Sequence, residues 1–151
     1  MIRSSRLFLV ASVILGLVVR LTAADSMNMK SDMKNEILSS CVKVSAALAA
    51  DDFAAAKSAA GMVADHAAMS DAYKAVAPKA KAVAQAKDIK AAREAFKSLS
   101  AAVEPLATGE KGYVVMHCPM ADADWVQTSK DVKNPYFGKS MLTCGEPKQA
   151  E

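Results

Sequence analysis

Apolar and polar positions alternate with a helical period over most of the chain from about residue 29 to residue 107. Three apolar seams step by three and four positions, as one buried face of an α-helix does. Alanine, the strongest helix former, fills 25 of the 62 positions from 46 to 107. The seams are Met33, Ile37, Cys41, Val44, Leu48; then Phe53, Ala56, Ala60, Val63, Ala67; and then Ile89, Ala92, Phe96, Leu99, Val103, Leu106.

Residues suited to helix ends divide this region into four segments. Aspartate caps helix N-termini and proline fits a first turn, which points to starts at Asp51 or Asp52, at Pro78 and at Asp88. The predicted helices cover about 29–50, 52–69, 78–87 and 88 to 104–107, the last ended by Pro105 and Gly109. Short connections between antiparallel helices predict an all-α fold, an up-down four-helix bundle.

The pattern changes after Gly112. Tyr113, Val114 and Val115 favour extended backbone, and prolines and glycines interrupt the rest of the chain at short intervals. The pattern predicts an irregular C-terminal tail that packs on the bundle. Its anchors would be the aromatic residues Trp125, Tyr136 and Phe137.

Residues 1–24 have the features of a secretory signal peptide. Arg3 and Arg6 precede an apolar run, and small residues follow at Thr22–Ala24. Arg20 at the end of the run leaves an uncleaved anchor as the alternative. Cleavage would leave one domain, residues 25–151, in the periplasm and not embedded in the membrane. Cysteine pairs can be oxidised in the periplasm.

The formal charge of +3 belongs to the leader. The leader holds three arginines and no acidic residue, so the remaining chain is neutral. It also lacks a basic patch with interleaved aromatic residues, which argues against nucleic acid as a partner.

Soft metal ligands concentrate in the tail, within residues 113–145. Thiolate, thioether and imidazole groups together suit Cu(I). Cys118 and Cys144 with Met120 or Met141 would form a three-coordinate site. His117 could replace one sulfur and Met116 adjoins it, but neighbours in extended backbone point to opposite sides, so His117 and Cys118 are not expected to bind one ion together.

Each of these residues also has a structural interpretation. In an exported protein Cys118 and Cys144 can form a disulfide, which would stabilise the fold by about 3.5 kcal/mol in the chain-entropy model. The two thiols can also switch between the oxidised and the metal-binding state. The methionines Met116, Met120 and Met141 can be ordinary core residues.

Two further groups of soft ligands lie outside the tail. Met62, His66 and Met69 have i, i+4, i+7 spacing and share one face of the second helix. This stripe could bind Cu(I) or Ag(I), or be a half-exposed helix face. Met27, Met29 and Met33 could capture Cu(I) weakly, or form a frayed helix start from which Met33 enters the core. Cys41 is expected to be buried and inert.

Several functional classes have no support. The chain lacks Cys-x-x-Cys-His for covalent haem, Glu-x-x-His pairs for a di-iron bundle, Cys-x-x-Cys for a thioredoxin-like enzyme and Gly-x-Ser-x-Gly for a hydrolase. The sequence therefore predicts no enzyme. A redox-active thiol at Cys118 is the remaining enzymatic alternative.

The tail motif Cys-Pro-Met, Trp, Asn-Pro-Tyr-Phe-Gly, Met, Cys-Gly, at residues 118–145, resembles a bacterial family of unknown function. Members are small exported helical domains, and the domain also occurs appended to CusB-type periplasmic adaptors of copper and silver efflux. Residues 48–57 resemble the first helix junction of that family. The resemblance implies a copper-linked role and carries over to Cys118, Met120, Met141 and Cys144.

We therefore expect a periplasmic copper(I)-binding protein, a chaperone or buffer linked to copper efflux or resistance. Its cargo would be copper or silver, and its partner an efflux adaptor or another copper protein. The alternative is a structural or protein-interaction module without metal, in which Cys118 and Cys144 form a disulfide and the aromatic cluster packs the tail or docks a partner.

Overall fold

The computed structural model describes the backbone of residues 7–148 and the side chains of residues 28–148. Within this part the elements follow one another as four helices, a β-hairpin, a 3₁₀ turn and a short last strand. They are α1 (Leu7–Ala49), α2 (Phe53–Ala68), α3 (Ala77–Ala84), α4 (Ile89–Ala107), β1 (Val114–Cys118), β2 (Ala123–Gln127), the 3₁₀ turn Gly138–Ser140 and β3 (Glu146–Pro147).

The chain divides into a first compact unit that extends to Asp32 and a second that begins at Met33. The second unit holds the C-terminal part of α1 and all the later elements. Of the expected leader, residues 1–6 lie outside the described residues. Among the helices of the described part, none combines the length and apolarity needed to cross a membrane.

The helix boundaries follow from local capping. At the end of α1, Asp51 adopts a left-handed conformation with φ 62°, and the N–H groups of Asp51 and Asp52 donate to the carbonyls of Leu48 and Ala47. This is a Schellman motif. The side chain of Asp52 then accepts from the N–H of Ala55 and begins α2, so one aspartate pair ends a helix and starts the next.

The later helices also begin near the predicted positions. Asp88 accepts from the N–H of Ala91 at the start of α4, and Pro78 lies in the first turn of α3. Pro105 lies inside the last turn of α4 and does not end it; the helix continues to Ala107. Gly109, with φ 77°, follows in the left-handed region.

The predicted all-α class is wrong, because the tail forms a sheet. The three strands are antiparallel in the order β2–β1–β3, so the architecture is mixed, with four helices and a three-stranded sheet in the described part. Along β1, Met116 and Cys118 are buried while His117 is half-exposed, which is the period of two that a half-buried strand requires. Sequence reasoning recognised extended backbone at 113–115 but missed its strand partners.

One face of the sheet joins the helical core. Met116 lies opposite Trp125 in the β1–β2 register, both are fully buried, and α4 packs against β2. The hydroxyl of Ser45 in α1 donates to the carbonyl of Val126 at 3.1 Å. The largest fully buried side chains come from helices and sheet alike: Trp125, Phe96, Ile37, Leu38, Leu48, Leu99 and Met116.

Candidate functional site

The fold brings Cys118 and Cys144 together. Cys118 ends β1 and its side chain is fully buried, whereas Cys144 precedes β3 and is partly exposed. Their Sγ atoms lie 3.6 Å apart, and both are free thiols. The antiparallel pairing of β3 with β1 sets this distance, because it aligns Glu146 with His117 and thereby returns the chain beside Cys118.

Asn134 holds the segment that carries Cys144. This asparagine is fully buried. Its Nδ2 donates to the carbonyl of Cys144 and its backbone N–H to the carbonyl of Leu142 at 2.8 Å. Its Oδ1 accepts from the N–H groups of Tyr136 and Phe137. One side chain therefore ties the aromatic segment to the cysteine turn.

Gly145 lets the backbone pass close over Trp125. A Cβ at this position would lie 2.6 Å from Cη2 of Trp125 and 3.0 Å from the carbonyl of His117, and the residue has φ 146°. Only glycine fits both the conformation and the space. The indole below is fixed in turn, since its Nε1 donates to Oε1 of Gln127 at 2.9 Å.

The two thiols are hydrogen-bonded to each other. The hydrogen bond with Cys118 and, to a lesser extent, burial raise the pKa of Cys144 above its usual value. Cys41, in contrast, lies alone in the core, and burial raises its pKa to about 12. The expectation that Cys41 is a buried thiol is confirmed.

His117 lies on the opposite side of the strand from Cys118. Its Nδ1 is 2.7 Å from Oδ1 of Asp124, the cross-strand neighbour, and Lys148 bridges Asp124 and Glu104 at 2.7 and 2.6 Å. Burial acts to raise the pKa of Asp124, but the hydrogen bonds from Lys148 and His117 outweigh it and the pKa is lowered. The imidazole therefore takes part in a hydrogen-bonded network with Asp124 and Lys148, on the face of the strand away from Cys118.

The tail methionines have three different environments. Met116 is fully buried in the core against Trp125 and is not exposed toward solvent. Met120 is 66% exposed in the turn between β1 and β2. Met141 is partly buried, and its carbonyl accepts from the N–H of Cys144 at 3.2 Å, so it lies one tight turn from that thiol.

The stripe on α2 is a separate feature. Met62 and Met69 are 38% and 73% exposed. His66 is half-buried, and its Nδ1 is buried without a hydrogen-bond partner among the described residues. In the part of the chain that the structure describes, α2 packs against α3 and α4 and has no packing contact with the sheet.

Residues 28–148 contain no group of three or more histidine, cysteine, aspartate and glutamate side chains placed to hold a metal ion.

A joint between the helices and the tail was missed by sequence reasoning. Arg93 in α4 donates through Nε to the carbonyl of Pro135 and through Nη2 to the carbonyl of Leu48, and it pairs with Asp51. The ion pair lowers the pKa of Asp51. Gly138 packs directly on this pair, because a Cβ there would lie 2.0 Å from Oδ1 of Asp51.

This joint connects two segments that were singled out in the sequence for their resemblance to a family. The junction after Leu48 and the Asn-Pro-Tyr-Phe-Gly segment lie far apart in the chain, and Arg93 binds both of them. The unusual run of residues 134–138 was the available signal for Asn134. Arg93 is the only arginine after Arg20, whereas the other cationic side chains of the helices beyond the leader are lysines; this was the available signal for Arg93.

The helical region matches a known protein family. Residues 37–112 match the family described as "Protein of unknown function (DUF3347)". The chain belongs to this family. No curated protein matches the chain, and no solved structure matches it. The matched residues end at Gly112, directly before the sheet that carries the thiol pair.

Proposed function

We propose that this protein binds Cu(I) through Cys118 and Cys144 and acts as a copper carrier or buffer. The observation that carries the proposal is the pair of free thiols 3.6 Å apart, one buried and one partly exposed. Thiolate sulfur prefers soft ions such as Cu(I) over hard cations. No catalytic step is assigned to the chain.

The separation of the sulfurs is compatible with a bridging ion. Zinc–thiolate bonds are about 2.3 Å long. With bonds of that length, an ion bound to both sulfurs at the observed 3.6 Å separation would have a sulfur–metal–sulfur angle of about 100°. That angle leaves space for one or two more ligands. The candidates for a third ligand are Met141, which lies one turn from Cys144, and Met120, which lies two residues from Cys118.

The remaining candidates have lesser roles in this proposal. His117 is an auxiliary ligand that would have to leave Asp124, and Met116, which is fully buried opposite Trp125, would have to leave the core to bind an ion. The Met62–His66–Met69 stripe on α2, with two exposed methionines and a half-buried histidine, is a second, weaker site for Cu(I) or Ag(I). These assignments rest on side-chain chemistry and exposure.

The location and partners of the protein form part of the same proposal. An N-terminal leader, residues 1–24, would direct the chain to the periplasm, where copper efflux and resistance proteins receive their cargo. The resemblance of the tail motif to domains appended to CusB-type efflux adaptors supports an adaptor or another copper protein as the partner. A partly exposed thiol suits transfer, because an acceptor ligand can reach it.

Anaerobic titration with Cu(I) against a competing chelator, followed by native mass spectrometry, tests the proposal. The protein should bind one Cu(I), and Cys118→Ser should weaken binding by more than the factor of about 100 associated with outer-shell groups. Cys41→Ala is the matched control, because it removes the isolated buried thiol. Unchanged affinity in Cys118→Ser, with helicity intact, would show that the thiol pair is not the site.

The 3.6 Å separation also favours a second candidate function. The two sulfurs are near enough to form a disulfide after a small movement, and the protein would then be a structural or interaction module without metal. Mass spectrometry of protein isolated without reductant distinguishes the two. A mass two hydrogens lower, with no copper adduct until reductant is added, would favour the disulfide module.

A further inference from the structure

A pocket of about 310 Å³ lies between α4, the β1–β2 turn and residues 136–140. Its volume is at the lower end of the range for small-molecule sites, roughly 300–1,000 Å³. None of its lining residues is a cysteine, so it is distinct from the thiol pair. The lining comprises Lys90, Arg93, Glu94, Lys97, Met120, Ala121, Tyr136, Phe137 and Ser140.

One wall of the pocket is basic. Lys90, Arg93 and Lys97 are spaced i, i+3, i+7 on α4 and share a face. Glu94, the acidic residue of the lining, pairs with Lys97 at 3.2 Å, and Arg93 is committed to Asp51 and to two backbone carbonyls. The Lys90 ammonium has no ion-pair partner within residues 28–148, so the wall keeps a cation for an incoming anion.

The opposite wall is apolar. The buried ring of Tyr136 is held by Phe96 and Trp125, with ring centroids 5.8 and 6.1 Å away, and its hydroxyl donates to the carbonyl of Asp124. Phe137 and the exposed Met120 complete the surface. A fixed aromatic wall facing a basic helix suits a ligand with an apolar body and a negatively charged end.

We propose that this pocket binds a carboxylate attached to an apolar group. Lys90, assisted by Lys97, pairs with the carboxylate, and Tyr136, Phe137 and Met120 contact the apolar part. The same chemistry is offered by a free organic acid and by an acidic side chain next to an aromatic one on a partner protein. A bound ligand would cover Met120, but the inference is independent of copper and is tested without it.

The test uses 3-phenylpropionate and its neutral isostere 3-phenylpropionamide with the purified, copper-free protein, followed by NMR. For a probe of this size we expect a dissociation constant on the order of 1 mM, with shifts confined to the pocket residues. The amide should bind at least tenfold more weakly. Lys90→Gln with Lys97→Gln should weaken the acid about tenfold, whereas Lys81→Gln, an exposed α3 residue outside the pocket, should not.

A second arm distinguishes the two sources of the ligand. Capped peptides containing Asp-Phe and, as a control, Asn-Phe are titrated in the same way. Tighter binding of Asp-Phe than of the free acid would assign the pocket to a partner protein, and the reverse order to a small organic acid. Equal binding of acid and amide, shifts outside the pocket, or an unchanged affinity in the double lysine variant would overturn the proposal.

Discussion

The helical region and the sheet region of this protein are encoded in different ways. The helices are specified by local signals: apolar spacing, alanine content and the caps at Asp52 and Asp88. The sheet region depends on contacts between residues distant in the chain, such as Arg93 with Pro135 and Ser45 with Val126. The family match covers the first region, whereas the candidate chemistry lies in the second.

This difference shows why the tail looked irregular in the sequence. Its strands are short, and β3 has only two residues, so period-two alternation has little length in which to appear. In the tail, hydrogen bonds from buried polar side chains fix the backbone, whereas in the helices apolar periodicity specifies the structure. Gln127, for example, accepts from Trp125 and donates to the carbonyls of Ser129 and Asp131, which fixes the following loop.

The largest expected effect tests whether the sheet is as integral as the helices. Trp125→Ala should lower the free energy of unfolding by about 4 kcal/mol, because it removes a fully buried indole and leaves a cavity in its place. Phe96→Ala in α4 is the matched helical variant and should cost a similar amount. Urea unfolding measures both; a much smaller loss for Trp125→Ala would mean that the tail is a loosely attached appendage.

Asn134→Ala tests the polar contacts alone. It leaves the buried carbonyl of Cys144 and the N–H of Tyr136 without their partner, at an expected cost of about 3 kcal/mol. Alkylation of Cys144 should accelerate at the same time, since its turn is released. Asn35→Ala, at an exposed position in α1, is the control, and equal effects from the two variants would argue against this role.

Alanine substitutions at two glycines, one in each region, should change stability in opposite directions. Gly138→Ala should destabilise by about 2 kcal/mol, because φ is 58° and a Cβ would meet the Asp51–Arg93 pair. Gly61→Ala, inside α2 with nothing within 4 Å of the new Cβ, should instead stabilise by about 1 kcal/mol. Thermal unfolding should give opposite shifts, and shifts of the same sign would contradict the joint at Gly138.

The caps of the helical region should have smaller effects. Asp52→Ala removes the acceptor for the N–H of Ala55 at the start of α2 and should cost about 1 kcal/mol. Asp65→Ala, at an exposed position within the same helix, is the comparison. Chemical denaturation of the two variants should differ; equal stability would show that Asp52 does not cap.

The smallest expected effect is one of pH. Since Arg93 lowers the pKa of Asp51 in the folded state, the pair stabilises the fold fully above the ordinary value of 3.8 and loses this contribution as pH falls through the lower folded-state pKa. Asp51→Asn keeps a residue type that tolerates left-handed backbone. Unfolding curves from pH 7 to pH 2 should show a weaker acid dependence in the variant, and parallel curves would contradict the assignment.

These experiments also mark how far sequence reasoning could reach. The starts of α2 and α4 and the burial of Cys41 follow from local chemistry and agree with the structure. The all-α class was wrong because β2 has no period-two alternation, since Trp125, Val126 and Gln127 are all buried, and because the turn before β2 needs Asp122 in left-handed backbone, at φ 47°. The proximity of the two thiols and the joint at Arg93 depend on the assembled fold, which no single segment encodes.

The short strand β3 has a mechanical consequence. Cys144 reaches Cys118 because the chain after it is held against β1, where the N–H of Lys148 donates to the carbonyl of Val115 at 2.9 Å. A force applied beyond Lys148 would peel this strand one hydrogen bond at a time and draw the sulfurs apart. The β1–β3 hydrogen bonds would therefore carry a load from that end first, and the load would reach the thiol pair as they break.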